Sequence, residues 1–136
     1  KLALLDYLSL STNVSHDSLS FYERLLTSDN QELRIRVLKA IASFGMITDL
    51  QRYEHFVAST SWEERLMMAR ILRFAKEEQS YQNLQRLIAD PNWQVRKQAA
   101  VSLLNMPKGK VILQQIIDSK KDSYAADIAR EVMKLG

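Results

Sequence analysis

This sequence predicts an all-α fold made by stacking two-helix units. Three observations carry that prediction: an internal period of 31 residues, apolar residues at helical spacing within each period, and short polar breaks at fixed places. Arg34, Arg65 and Arg96 fall in register at the 31-residue offset, and so do Trp62 and Trp93. Val37, Met68 and Ala99 align, then Leu38, Ala69 and Ala100, then Ile41, Leu72 and Leu103. The preceding halves repeat at the same interval, with Leu19, Leu50 and Tyr81 sharing one position and Tyr22, Tyr53 and Leu84 another. Leu25, Phe56 and Leu87 follow, then Leu26, Val57 and Ile88. A fourth copy aligns at an offset of 29, where Leu84, Leu87 and Ile88 correspond to Leu113, Ile116 and Ile117. In its second half, Ala99, Ala100, Leu103 and Leu104 correspond to Ile128, Ala129, Val132 and Met133.

Each half carries apolar residues at i, i+3, i+4 and i+7, the stripe of an amphipathic helix, and none shows the strict alternation of a strand. The first helix of each unit, A, is expected near 17–27, 48–58, 79–89 and 109–118. The second, B, is expected near 31–44, 62–75, 93–105 and 123–135. The units then span about 17–45, 48–76, 79–106 and 109–136 of a single domain covering 1–136. Between A and B lie Thr27-Ser28-Asp29-Asn30, Ser59-Thr60-Ser61, Asp90-Pro91-Asn92 and Ser119-Lys120-Lys121-Asp122. Their Asn, Asp and Ser side chains are suited to accept hydrogen bonds from the free amides that open each B helix. Pro91 fits a turn or first helical turn, Gly45 and Gly136 fit helix stops, and Pro107 and Gly109 punctuate the gap before the fourth unit. Leu2, Leu4, Leu5 and Leu8 give residues 2–10 the look of the tail of an earlier B helix. With Lys1 in first place, the expectation is a window on a longer protein.

Composition narrows the classes. Of 136 residues, 46% are hydrophobic and 26% charged, ordinary for a globular domain, and only 3 Gly and 2 Pro argue against a turn-rich β fold. The absence of Cys excludes disulfides, thiol catalysis and cysteine-ligated zinc. A formal charge of +3 is too weak on its own to imply nucleic acid. No apolar run approaches the roughly 20 residues that a membrane span needs, and no targeting signal is visible. The expected setting is cytoplasmic, or the soluble part of a larger, membrane-anchored protein.

The third unit, from Asp90-Pro91-Asn92-Trp93-Gln94-Val95-Arg96 through Ala99-Ala100 to Leu103-Leu104, resembles the HEAT repeat. That pattern has Asp-Pro in the turn, Val-Arg early in helix B, then Ala and Leu. The short period is similar to that of bacterial HEAT-like repeats, including those of phycobilin lyases, and differs from the roughly 40–47 residues of longer forms. Tetratricopeptide and ankyrin patterns do not fit. The resemblance implies a right-handed α-α superhelix of about four hairpins after a partial leading one, with B helices on the concave side. It also implies a structural contact between turn and helix, at Asp90 and Arg96. The first unit's acid, Asp29, lies one residue off that register, the second has Ser59, and Ala125 replaces the arginine in the fourth.

Catalytic sets are absent from the sequence. His16 and His55 have no second His or Cys at ligand spacing, so neither a metal nor a cofactor is expected. Glu63-Glu64 and Glu77-Glu78 are adjacent on helices and so cannot converge on one substrate; solvated helix faces are expected instead. Trp62 and Trp93 open successive B helices and either pack across the turn or form an aromatic binding edge. The strongest surface signal is the excess of cations on helix B. By register Arg36, Met67 and Gln98 form one row, Lys39, Arg70 and Val101 a second, and Ile35, Leu66 and Lys97 a third. The expected function is a non-catalytic scaffold that binds a protein or acidic peptide on the concave face through Arg36, Lys39, Trp62, Met67, Arg70, Trp93, Lys97 and Gln98. Nucleic-acid binding, of the kind found in HEAT-like DNA alkylpurine glycosylases, ranks second, and a phycobilin-lyase-like accessory role third. The sequence leaves the oligomeric state open.

Overall fold

The computed structural model describes residues 16–135; the expected leading helix at 2–10 and the stop at Gly136 lie outside them. Among the described residues every regular element is helical. In chain order they are α1 (His16–Leu25), α2 (Gln31–Phe44), two 3₁₀ segments (Leu50–Arg52 and Glu54–Ala58), and α3 (Trp62–Ile71) with a 3₁₀ end (Leu72–Phe74). Then come α4 (Glu78–Leu87), α5 (Trp93–Leu104), α6 (Gly109–Ser119) and α7 (Ser123–Leu135). The A positions are α1, the 3₁₀ pair, α4 and α6; the B positions are α2, α3, α5 and α7.

Stacking makes the core. The B helices pack in succession, α2 on α3, α3 on α5 and α5 on α7, and each also packs on its own A segment. No single hairpin could cover its apolar stripe, so the buried residues run through all four units, from Leu19 and Val37 through Met68 and Leu84 to Leu103, Leu113 and Val132.

Each B helix starts where its turn supplies an acceptor. Asn30 Oδ1 accepts from the Leu33 amide at 3.1 Å, and Ser61 Oγ accepts from the Glu64 amide at 3.4 Å. Asn92 Oδ1 accepts from the Gln94 amide at 2.8 Å, and Asp122 Oδ1 from the Tyr124 and Ala125 amides at 3.0 and 3.1 Å. Three of these caps are in turn anchored by a side chain two positions earlier. The Asn30, Ser61 and Asn92 amides donate to Ser28 Oγ, Ser59 Oγ and Asp90 Oδ1 at 3.1, 3.0 and 2.9 Å. Gly45 ends α2 in the left-handed conformation at φ 74°, where glycine is strain-free.

Two expectations need correction. The second A position is not an α-helix: its bonds run from the amides of Tyr53, Phe56 and Ser59 to the carbonyls three residues back, at 3.0, 3.0 and 3.2 Å. Tyr53, His55, Phe56 and Val57 give this stretch little helix propensity, and Asp49 Oδ1 caps its first amide tightly at Gln51. In the fourth unit the first helix keeps the offset of 29, with Asn83 and Leu84 matched by the buried Ile112 and Leu113, but the second helix is offset by 30. Its cap Asp122 stands 30 residues after the cap Asn92, and the buried Ala125, Ala129 and Val132 stand 30 after Val95, Ala99 and Ser102. Ala126, buried, therefore stands at the arginine position, not Ala125.

Candidate functional site

The periodic arginines build a ladder along the turn edge of the stack. Arg34 Nη1 donates to the Ser28 carbonyl oxygen of its own turn at 2.7 Å, while its Nε donates to Glu64 Oε2 of the next unit at 2.9 Å. Arg65 repeats the move, with Nη1 on the Ser59 carbonyl at 2.8 Å and Nε and Nη2 on the two Asp90 carboxylate oxygens of the next unit at 2.7 and 3.2 Å. Arg96 Nη1 donates to the carbonyls of Asp90 and Pro91 at 2.8 and 3.1 Å. The contact implied between Asp90 and Arg96 thus uses the main chain of Asp90; its carboxylate faces back to Arg65.

The acid of each rung comes from a different place. In the second unit the turn carries Ser59, and helix residue Glu64 supplies the charge; Ser59 Oγ donates to Glu64 Oε1 at 2.7 Å. The expectation of a solvated Glu63-Glu64 face fails at Glu64, which is only 2% exposed. Its side chain turns inward because the Arg34 guanidinium and the Ser59 hydroxyl replace its water. Asp29 is exposed and lies outside the ladder.

Between successive rungs the turn edge opens into two register-equivalent clefts. One, of about 420 Å³, is lined by Leu26, Ser28, Arg34, His55, Thr60 and Glu64 among others. The other, of about 310 Å³, is lined by Val57, Ser59, Arg65, Arg86, Asp90 and Pro91 among others. His55 is exposed, with its ring against Phe56 at 4.0 Å between centroids. Trp62 and Trp93 open α3 and α5 on the same edge, and Trp93 is 61% exposed.

Away from the A segments, the B helices present residues at i, i+1 and i+4, which share a helix face. These are Ile35, Arg36 and Lys39 on α2; Leu66, Met67 and Arg70 on α3; Lys97, Gln98 and Val101 on α5; and Asp127, Ile128 and Glu131 on α7. All twelve are half-buried or exposed. The candidate residues therefore divide between two surfaces: Arg36, Lys39, Met67, Arg70, Lys97 and Gln98 lie on the B-helix face, and Trp62 and Trp93 on the turn edge beside it. Arg36 lies 4.0 Å from Glu32 and has a further contact. Among the described residues no carboxylate pairs with Lys39, Arg70 or Lys97. Gln98 Nε2 donates to Ser102 Oγ at 3.3 Å, and Ser102 Oγ donates to the Ala69 carbonyl at 2.5 Å, joining α5 to α3 beneath this face. With the second helix of the fourth unit in register, the face runs from Arg36 and Lys39 in the first unit to Glu131 and Asp127 in the fourth, where Arg130 Nη1 donates to Asp127 Oδ1 at 2.9 Å.

A third polar cluster was missed from sequence. Glu23 of α1 is 3% exposed and accepts from Thr48 Oγ1 at 2.6 Å, from the Thr48 amide at 3.3 Å, and from the Tyr53 hydroxyl. Burial, and then the neighbouring carboxylate, push the Tyr53 hydroxyl far above the usual phenol range. The cluster ties the first two A positions together. Among the described residues no group of His, Cys, Asp and Glu could hold a metal ion, and no helix is long and apolar enough to cross a membrane.

Repeated helical hairpins, a capped turn in each and a guanidinium ladder joining one to the next define an α-helical repeat protein. A family model described as HEAT repeats matches residues 53–134, more than half of the chain, and the chain belongs to that family. Comparison with curated proteins and with solved structures gives no match. HEAT repeats commonly mediate protein–protein interaction.

Proposed function

We propose that the chain is a non-catalytic scaffold that receives a segment of a partner protein along its B-helix face. The observation that carries this reading is the face of α2, α3 and α5. Among the described residues Lys39, Arg70 and Lys97 have no acidic partner, and beside them stand the half-buried side chains Ile35, Leu66, Met67 and Val101. Cations next to incompletely covered apolar surface suit a peptide that offers carboxylates and apolar side chains together. At the far end Glu131, and Asp127 paired with Arg130, leave no excess of cations, so the acidic part of the partner belongs over the first three units. The same acids, with Glu32 and Glu63 on neighbouring positions, work against a continuous phosphate track and favour protein over nucleic acid.

The test is partner recovery with the wild type and with a variant carrying Arg36→Glu, Lys39→Glu, Arg70→Glu and Lys97→Glu, matched for helical circular dichroism. Loss of recovery in the variant is the expected result. Equal recovery would remove the B-helix face from the reading. A nucleic-acid mobility shift at low salt that fades steeply as salt rises would replace protein by nucleic acid.

A further inference from the structure

The ladder has two complete rungs and an incomplete third. In the first two, Nη1 holds the arginine's own turn and the Nε edge meets a carboxylate of the following unit, Glu64 or Asp90. Arg96 keeps the first half of this pattern, with Nη1 on the Asp90 and Pro91 carbonyls. Among the described residues nothing accepts from its Nε–H or Nη2–H groups; the following unit meets the guanidinium with the Tyr124 ring, 5.2 Å from the Arg96 Cζ. The cap register explains the difference. Asp90 stands two residues before the cap Asn92, and the residue two before the cap Asp122 is Lys120. The position that holds an acid in the second rung is a lysine in the third, followed by Lys121, and Lys120 is held in the left-handed conformation at φ 56°. The other candidate position fails too, because the residue equivalent to Glu64 is the buried Ala125.

The Nε/Nη2 edge of a guanidinium matches both oxygens of a carboxylate, as Arg65 and Asp90 show. At the third rung that edge has two further features. Trp93, three residues before Arg96 and so on the same side of α5, is 61% exposed, and Tyr124 is 69% exposed. Large exposed aromatics beside a half-buried arginine are the composition of a binding hot spot. We propose that a partner completes this rung: the Nε/Nη2 edge of Arg96, between Trp93 and Tyr124, takes a glutamate or aspartate side chain of an acidic peptide segment. Lys120 and Lys121 supply charge of the same sign in the adjoining turn. The inference rests on the reading of the chain as a protein-binding scaffold, but it places an acid contact on the turn edge and not on the B-helix face.

The probe is a short fluorescent oligoglutamate peptide, its anisotropy measured at low ionic strength. The wild type binds it. Arg96→Gln weakens binding about tenfold or more, the scale of one charge-assisted pair. Lys120→Asp returns an acid to the register position of Asp90; it weakens the peptide to a similar degree and raises the melting temperature by filling the rung from within. Should Arg96→Gln fail to fold by circular dichroism, Lys120→Asp and Tyr124→Ala carry the same expectation of weakened binding. The quadruple reversal on Arg36, Lys39, Arg70 and Lys97 leaves the affinity for this peptide within about threefold, apart from a general salt-dependent effect. No binding by the wild type, or equal binding by a folded Arg96→Gln, overturns the third-rung site. Loss in the quadruple reversal with Arg96→Gln unchanged also overturns it, yet leaves the B-helix scaffold standing.

Discussion

Removing Arg65 should expose what the ladder is worth. Its guanidinium grips both oxygens of Asp90, and the side chains are 17% and 5% exposed. Without it, Asp90 would keep the Asn92 amide at 2.9 Å as a partner and little water, a desolvated anion against a single neutral donor. Breaking a buried pair on one side costs about 3–5 kcal/mol. Arg65 is not fully buried, so the lower end applies, and Arg65→Met should cost about 3 kcal/mol. For a chain of this size that is a fall in melting temperature of about 10 °C. Removing both charges, as in Arg65→Met with Asp90→Asn, should recover about 2 kcal/mol of that loss, because no uncompensated anion remains. Urea unfolding followed by circular dichroism on the four proteins of the cycle measures the coupling directly. A single-variant loss below about 0.5 kcal/mol, the scale of the exposed Glu32–Arg36 pair, would refute the argument that the ladder holds the units together. So would additive single variants.

Three further outcomes follow from the packing. Leu103 is fully buried between units, and Leu103→Ala should cost about 2–5 kcal/mol, read as an earlier and still cooperative loss of helical circular dichroism; an unchanged midpoint would contradict its burial. Gly109→Ala should destabilise by at least about 1–3 kcal/mol, since the added Cβ would stand 1.4 Å from the Leu103 carbonyl oxygen; a neutral effect in urea would show that α5 and α6 do not approach so closely. Tyr53 has its folded-state hydroxyl pKa raised above the ordinary 10.0, so its contribution is complete below that pH and declines above it, where the unfolded chain ionises first. The melting temperature of the wild type should therefore fall more steeply above pH 10 than that of Tyr53→Phe, and parallel alkaline profiles would dismiss the effect.

The helical units were legible because burial imposes a period on residue type. Val37, Met68 and Ala99 differ in size, yet all are apolar, and the offset between them locates α2, α3 and α5. The turns were legible for the same reason: capping accepts Asn, Ser or Asp in one place and little else. What pairs with the ladder was not legible. Glu64 and Asp90 do the same work from a helix and from a turn, 30 and 25 residues beyond their arginines, so no fixed motif marks them. Glu23 was hidden by its own chemistry, since a glutamate inside an amphipathic helix reads as solvent-facing. Only the hydroxyls of Thr48 and Tyr53, brought by the next unit, make its burial tolerable. The slip of one residue in the fourth unit arose from alanines at 125, 126 and 129, which fit either register when judged by polarity alone. The cap Asp122 resolves it.

The 3₁₀ stretch at Leu50–Ala58 sets where this array should come apart first. Its two segments, of three and five residues on either side of Tyr53, rise about 2.0 Å per residue, against about 1.5 Å in an α-helix such as α1 or α4. Hydrogen bonds that close over three residues have poorer geometry than those of an α-helix. Turns closed by such bonds are the ones expected to open before the α-helices around them. Native-state amide exchange would show this as early deuteration of Tyr53, Phe56 and Ser59, with α5 and α7 protected longest.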